Sequence, residues 1–378
     1  MENPTMKNKK RVLLNARISS HHFALKNVIL NLAAGLADDP EFDLYLLISR
    51  DTDIPGIRDL HARILTAPIA ADQSALNHLY SIFVLPLVLL RHRIDLLVFP
   101  QIGIYLFKVC RILFYMHDLI EYHIPNQKKS KLLFRKIAYP FDCRLADHLI
   151  TVSENSKKDL MEILHVPAGK ITVAYDGCDS DLRPIPEGEA RDYVAEKYGI
   201  RNYLYYMGYI THPQKNLLYL IDEVAEFRKK NPDISLVFAG PQGKEADRIL
   251  AHANQKLGAH FKYLGKVPWE DLKYLYSGCL TFCFPSLYEG FGMPVLEAMR
   301  CRRPVITSNV SSLPEILQDK RCLINPTHSG ELCSALAFTI SHRDELGEAN
   351  YQSSLRFSWQ DHVKKVLVPL RDILRKVK

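Results

Sequence analysis

The sequence predicts an α/β protein built from two Rossmann-like domains in tandem. Three observations carry this. Short apolar runs alternate with amphipathic stretches along all 378 residues, the pattern of parallel sheets with helices on both faces. The length suits two domains of roughly 180 residues better than one core. A charged stretch at 179–188, with Pro184 and Pro186, interrupts the rhythm near the middle, as a linker does.

In the first half, residues 12–16, 44–48, 95–99, 112–116, 148–152 and 171–174 read as short buried strands. Residues 24–36, 129–145 and 155–164 carry helical patterns between them. The longest apolar run, 80–90 (YSIFVLPLVLL), contains Pro86. It is too short to span a bilayer and reads as a buried helix leading into the strand at 94–99. In the second half, 203–207, 236–239, 262–264, 280–284 and 305–307 read as strands, and 358–378 as one closing helix. The expected domains are 1–182, 183–357 and the helix 358–378. Each parallel sheet places a ligand crevice at the C-terminal ends of its strands.

Composition narrows the class. Hydrophobic residues make up 47% and charged residues 24%, average for a globular protein. The net charge of +7 is modest and spread over both halves, so charge alone points to no nucleic-acid partner. Eight cysteines are scattered without a CxxC pair, which fits reduced thiols rather than a disulfide framework or a zinc site. The polar, basic start MENPTMKNKKR lacks the pattern of a signal peptide. A cytoplasmic chain is expected.

The segment 284–299, FPSLYEGFGMPVLEAM, carries the chemistry. It follows an apolar strand and runs into a helix whose first turn holds Pro294. Glu289 falls in the loop at the strand end and Glu297 about one turn into the helix. Gly290 and Gly292 let the backbone approach a ligand, and the helix N-terminus offers free N–H groups and a positive dipole end. A phosphate flanked by hydroxyl groups fits such a crevice, because a carboxylate accepts two hydroxyl hydrogen bonds from a diol.

This segment resembles the signature of the retaining glycosyltransferases of family 4, which have the GT-B fold. The resemblance covers nearly the whole chain and is strongest in its second half. It implies two Rossmann-like domains facing a central cleft, with the last helix crossing back to the first domain. It implies that Glu297 holds the nucleotide ribose and that Glu289 lies near the donor sugar. The amides of Gly290, Phe291, Gly292 and Met293 then meet the sugar and diphosphate. In MGYITHPQKN, Gly208 ends a strand and Lys215 takes the place of the family lysine on the donor diphosphate. The arginine common directly after the glycine is absent: Tyr209 stands there, and Gln214 precedes the lysine where some relatives carry arginine. His117, in the His117–Asp118 pair, matches a family histidine facing the donor sugar. Ser153 is expected to cap a helix. Relatives usually carry a glycine-rich loop after the first strand, yet this chain has no glycine before Gly35. Arg17 and His21 are the side-chain donors available in its place, on the acceptor side. Arg303 before Pro304 replaces a common helix-ending glycine.

Lys128, Lys129, Lys131, Arg135 and Lys136 form a basic run interleaved with apolar residues, with no acidic residue from Tyr122 to Phe141. Such a helix suits an anionic membrane surface, here on the inner face of the cell membrane. Asp51-Thr52-Asp53 and Asp179-Ser180-Asp181 fit the spacing of metal-binding transferases of another fold, but without its surroundings, so no metal and no cofactor are expected. The sequence thus points to a retaining hexosyltransferase. Its donor is a nucleotide diphosphate sugar, with mannosyl a candidate unit. Its acceptor is a glycan or a lipid-linked glycan in surface polysaccharide or lipopolysaccharide assembly. Glu289, Lys215 and His117 are the expected catalytic groups. Two alternatives are a catalytically weak sugar-nucleotide binder and a sugar-nucleotide epimerase of the same fold.

Overall fold

The computed structural model describes residues 9–18, 23–71, 74–100, 107–124 and 129–375. The chain divides into two compact units. The first comprises Met1–Leu119, Lys128–Gly177 and Ser358–Lys378; the second comprises Ile120–Gln127 and Cys178–Phe357. The division thus falls at Gly177, a few residues before the expected linker, and a short segment after Leu119 joins the second unit.

The first unit holds a seven-stranded sheet. Its strands are β1 (Lys10–Asn15), β2 (Phe42–Ser49), β3 (Arg63–Ala67), β4 (Leu96–Phe99), β5 (Arg111–Tyr115), β6 (His148–Thr151) and β7 (Ile171–Val173). They run parallel in the order β3-β2-β1-β4-β5-β6-β7. Central strands are uniformly apolar because both faces are covered; Val12, Leu13, Leu14, Leu96, Leu97 and Val98 are fully buried. The edge strand β3 (RILTA) is only partly buried, and its mixed pattern escaped the sequence reading. The closing helix Trp359–Arg375 packs on helix Phe23–Ala37 and on β5, β6 and β7 of this same unit. Arg371 ties it to Asp39 and, at 3.1 Å, to Glu41.

The second unit holds six parallel strands: β8 (Tyr203–Met207), β9 (Ser235–Ala239), β10 (Phe261–Tyr263), β11 (Thr281–Phe284), β12 (Val305–Ser308) and β13 (Leu323–Ile324). Their order is β10-β9-β8-β11-β12-β13. Its core is aromatic. Tyr205 meets Phe282 edge-on, and Tyr206 stacks on Phe284 at 5.8 Å.

In both sheets the order in which strands are added reverses once, between β1 and β4 and between β8 and β11. Ligands bind beyond the C-terminal ends of strands at such switch points. All eight cysteines are unpaired thiols. Among the described residues, no helix is long and apolar enough to cross a membrane.

The run 80–90 departs from expectation. Ser74–Leu79, a π-helical turn Tyr80–Val84 and Leu85–Arg91 form one helical stretch. Leu85 and Leu89 are buried, but Phe83 is 61% and Leu87 65% exposed. Uniform hydrophobicity hid this amphipathic use, since an all-apolar run shows no periodicity to read.

Candidate active site

The site of the second unit is built at the switch point between β8 and β11. Gly208 directly follows β8 with φ +150°. A Cβ there would come 2.8 Å from the Tyr206 hydroxyl, so only glycine fits this exit. The following loop is hydrogen-bonded to the loop after β11 through Gln214. The Leu287 N–H donates to the Gln214 carbonyl at 2.8 Å, and the Gln214 side-chain amide donates to the Tyr288 carbonyl at 3.2 Å. Gln214, which stands where some relatives carry a cation, is therefore a connector.

That connection brings Lys215 to Glu289. Lys215 Nζ donates to Glu289 Oε1 at 2.6 Å. Nζ also lies 5.0 Å from the centre of the Phe284 ring. Both side chains are about seven-eighths buried, so the pair sits on the rim of the sheet with limited water. The backbone at Glu289 is fixed by two residues the sequence reading missed. Its N–H donates to Ser311 Oγ at 3.0 Å, and Ser312 Oγ donates to the carbonyls of Glu289 and Phe291. The signal was present as Ser312-x-x-Glu315, a capping-box pattern, but the hydroxyl serves the neighbouring loop instead of its own helix. Tyr288 stacks on His123 of the same unit at 4.4 Å.

Gly290 and Phe291 are buried, and Phe291 packs edge-on against Phe357. Gly292 caps helix Met293–Arg300 with φ +125°. A Cβ at Gly292 would approach Leu313 to 2.9 Å, so this glycine serves packing as well as loop conformation. Met293 opens the helix, whose first N–H groups have no acceptor inside it.

Glu297 lies one turn further on, half-buried. Tyr276 donates its hydroxyl to Glu297 Oε2 at 2.7 Å. Burial pushes the Glu297 carboxyl up to about 7; the tyrosine hydrogen bond opposes this and Asp179 adds to it. Tyr276 also went unread, because a tyrosine inside a helix reads as core. Of the family's second cation there is no arginine in the loop after β8. His212 there keeps its buried Nδ1 without a protein partner among the described residues.

The switch point of the first unit is different. Arg17, expected to offer its guanidinium to an acceptor, is only 3% exposed. Its Nε donates to Asn15 Oδ1, and its terminal nitrogens donate to Asn77 Oδ1 at 3.1 Å and Ser81 Oγ at 2.9 Å. It also stacks over the Tyr80 ring at 4.4 Å. Arg17 thus fastens the helical stretch 74–91 to the end of β1, a physical use that the sequence pattern concealed. Burial pushes its pKa down to about 10.

His117, after β5, is half-buried. Its Nε2 lies 3.0 Å from the Pro100 carbonyl. A carbonyl only accepts, so Nε2 carries the proton and Nδ1 of the neutral ring is left as an acceptor. Burial holds the His117 pKa below the ordinary range, against the Pro100 carbonyl and Asp118. The neutral ring can therefore accept from a hydroxyl at Nδ1. Beneath it, Tyr115 and the His362 Nε2 are 3.3 Å apart. Burial holds His362 down at about 4 and lifts Asp176 to about 7.

The remaining expectations place as follows. Ser153 caps helix Glu154–Ile163 by accepting from the Ser156 N–H. Lys129 and Lys131 open helix Lys129–Leu145. Arg135 lies 5.9 Å from the Tyr139 ring and Lys136 is exposed. Lys128 and His21 lie outside the described residues. Asp51 accepts from the Ala71 N–H, and Asp179 from the Asp181 N–H. Arg303 is buried, with Glu187 at 3.3 Å.

Comparisons with known proteins agree with this architecture. The family described as glycosyltransferase family 4 matches residues 25–182, and glycosyl transferases group 1 matches 193–352. The O-antigen chain mannosyltransferase B of Escherichia coli is 31% identical over 257 residues, covering 65% of this chain and 66% of that protein. The serotype-specific mannosyltransferase WbdA of Escherichia coli is 26% identical over 64% of this chain, but over only 31% of its own length. The chain therefore spans about two thirds of one relative and under a third of the other. The Anabaena Alr3699/HepE structure in complex with UDP and glucose superimposes with a TM-score of 0.74 at 18% identity, covering 96% of this chain and 99% of that one. With a model matching each half and this fold throughout, the chain belongs to the family 4, group 1 glycosyltransferases of GT-B architecture.

Proposed function

We propose that this chain is a retaining glycosyltransferase. It moves a hexosyl unit from a nucleotide diphosphate sugar to a glycan or lipid-linked acceptor in surface polysaccharide or lipopolysaccharide assembly. Mannosyl is the first sugar to test, since the curated relatives at 31% and 26% identity are named mannosyltransferases. The observation that carries the proposal is the convergence of Lys215, Glu289 and Glu297 at one switch point, beside a glycine-capped helix start.

Glu297 accepts the ribose hydroxyls, and the N-terminal amides of helix Met293–Arg300 meet the diphosphate. Lys215, paired with Glu289, turns its charge to the diphosphate when donor binds. The anomeric carbon–oxygen bond breaks with its electrons moving onto the diphosphate, whose oxygen takes the proton of the acceptor hydroxyl. The acceptor oxygen bonds the same face of the sugar. This is a front-face course, without a covalent intermediate on Glu289. Catalysis then rests on stabilising the leaving group and on orientation. Docking at the inner face of the cell membrane, through the basic residues around Lys128–Lys136, brings the acceptor within reach.

The test is product analysis. GDP-mannose, UDP-glucose and UDP-galactose are each supplied with a glycan acceptor, and the new linkage is read by NMR. An α-linkage from an α-donor is the expected product. An inverted linkage overturns the retaining course. Epimerised donor or no transfer from any donor overturns the transferase assignment.

A further inference from the structure

We propose that the helical ridge 74–91 is an interfacial anchor that lies in the surface of an anionic phospholipid bilayer, with helix Lys129–Leu145 beside it. The observation is an exposed apolar stripe. Leu76, Leu79, Phe83, Leu87 and Leu90 are 47%, 51%, 61%, 65% and 57% exposed. Their spacing of three or four residues puts them on one helix face. Scattered exposed leucines are ordinary; a continuous stripe of this size marks an interaction surface.

The ridge is firmly seated from behind. Ser81, Leu85 and Leu89 are buried on the opposite face, and Arg17 clamps the stretch through Asn77, Ser81 and Tyr80. Its apolar face is therefore presented on a rigid backing and is not a frayed segment.

A second stripe repeats the pattern. In helix Lys129–Leu145, Leu133 is 62%, Ile137 67% and Phe141 36% exposed, four residues apart. Topology puts the two stripes on one side of the seven-stranded sheet. The connections β3 to β4 and β5 to β6 advance in the same direction along the strand order, whereas β1 to β2 goes the other way. Right-handed crossovers then place the ridge and helix Lys129–Leu145 together, opposite helix Phe23–Ala37.

Charge decides the occupant. No acidic residue occurs from 73 to 94 or from 122 to 141. Arg91, Arg93, Lys136 and Arg144 are exposed around the stripes. A second copy across a two-fold axis would set this basic rim against itself, whereas an anionic headgroup layer neutralises it. The ridge is too short to span, so it lies in the plane with its apolar face at the headgroup boundary. Its purpose rests on the proposed lipid-linked acceptor, but its existence does not.

The experiment is co-sedimentation of the full chain with phosphatidylglycerol or phosphatidylcholine vesicles at 0.15 M and 1 M salt (roughly the 8 Å and 3 Å screening regimes). The parent should bind phosphatidylglycerol and lose most binding at high salt. Phe83→Ser with Leu87→Ser should lower binding at least tenfold. Arg91→Ser with Lys136→Ser should lower it by about 30-fold. All four side chains are exposed, so unfolding temperature and nucleotide stabilisation should match the parent. Parent-like binding by the Phe83/Leu87 variant overturns the anchor. Equal binding to phosphatidylcholine, insensitive to salt, overturns the anionic commitment. A parent dimer that ignores vesicles and dissociates on Phe83→Ser with Leu87→Ser means that a second copy covers the ridge, which also overturns it. Vesicle binding without nucleotide stabilisation would sink the transferase assignment and leave the anchor standing.

Discussion

The two sheets share one topology, yet their switch points carry opposite chemistry. In the second unit, the loops after β8 and β11 bring a lysine against one carboxylate and leave a second carboxylate a turn away. In the first unit, the two described groups Arg17 after β1 and His117 after β5 are locked inward or neutral. Arg17 is buried among Asn15, Asn77 and Ser81, and His117 is an uncharged acceptor. The difference teaches that parallel-sheet topology only offers a crevice. Loop chemistry decides whether it takes an anion or a neutral polyol.

If that contrast is correct, variants of the two edges should fail differently. The largest effect belongs to Lys215. Lys215→Ala should lower turnover at saturating donor by roughly 10²–10³, measured as release of nucleotide diphosphate. Wild-type turnover in a folded variant would erase the contrast.

Glu297→Ala should come next, removing charge-assisted hydrogen bonds of roughly 1.5–3 kcal/mol and about 10- to 150-fold in nucleotide affinity. Calorimetric titration reads this directly. The pH dependence sharpens it. Ribose hydroxyls favour the carboxylate form, and the free carboxyl is raised to about 7 by burial. Affinity should therefore be full above that pH and fall as pH drops through it, and Glu297→Gln should flatten the profile.

On the first unit, Arg17→Ala should cost stability of roughly 1–3 kcal/mol by leaving buried partners unsatisfied, while nucleotide affinity stays at the parent value. A denaturant midpoint shift together with unchanged titration is the expected pair of results. His117→Ala should reduce turnover by only about 2- to 12-fold, the worth of one neutral hydrogen bond, again without weakening nucleotide. The smallest expected effect is that of a strong chelator. With Lys215 and a helix start at the diphosphate, activity should persist in it; loss that magnesium restores would move attention to the Asp51 or Asp179 pairs.

Legibility in the sequence followed the same divide. The second unit's site was readable because its strand, loop, glycines and helix lie in one continuous segment, 284–299, with Lys215 the main distant member. Ser311, Ser312 and Tyr276 were not readable, since their contacts are tertiary and their types are common in caps and cores. Most strands were readable from apolar runs; β3 was missed because an edge strand needs only partial burial. Arg17 was read as an accessible donor because a loop arginine looks exposed until the helix that covers it is known. The ridge at 76–90 looked like core for the complementary reason: leucine and phenylalanine carry no mark of the side they face.

The central claim is that the β8–β11 switch point binds a nucleoside diphosphate. Thermal unfolding of the full chain with UDP, GDP and ADP, alongside Lys215→Ala and Glu297→Ala, tests it most directly. Ligand at about 100 times its dissociation constant stabilises the folded state by roughly 2.7 kcal/mol. One of the three nucleotides should raise the parent's unfolding temperature, and both variants should show a smaller rise at the same concentration. No rise with any of them, or an equal rise in both variants, would contradict the account.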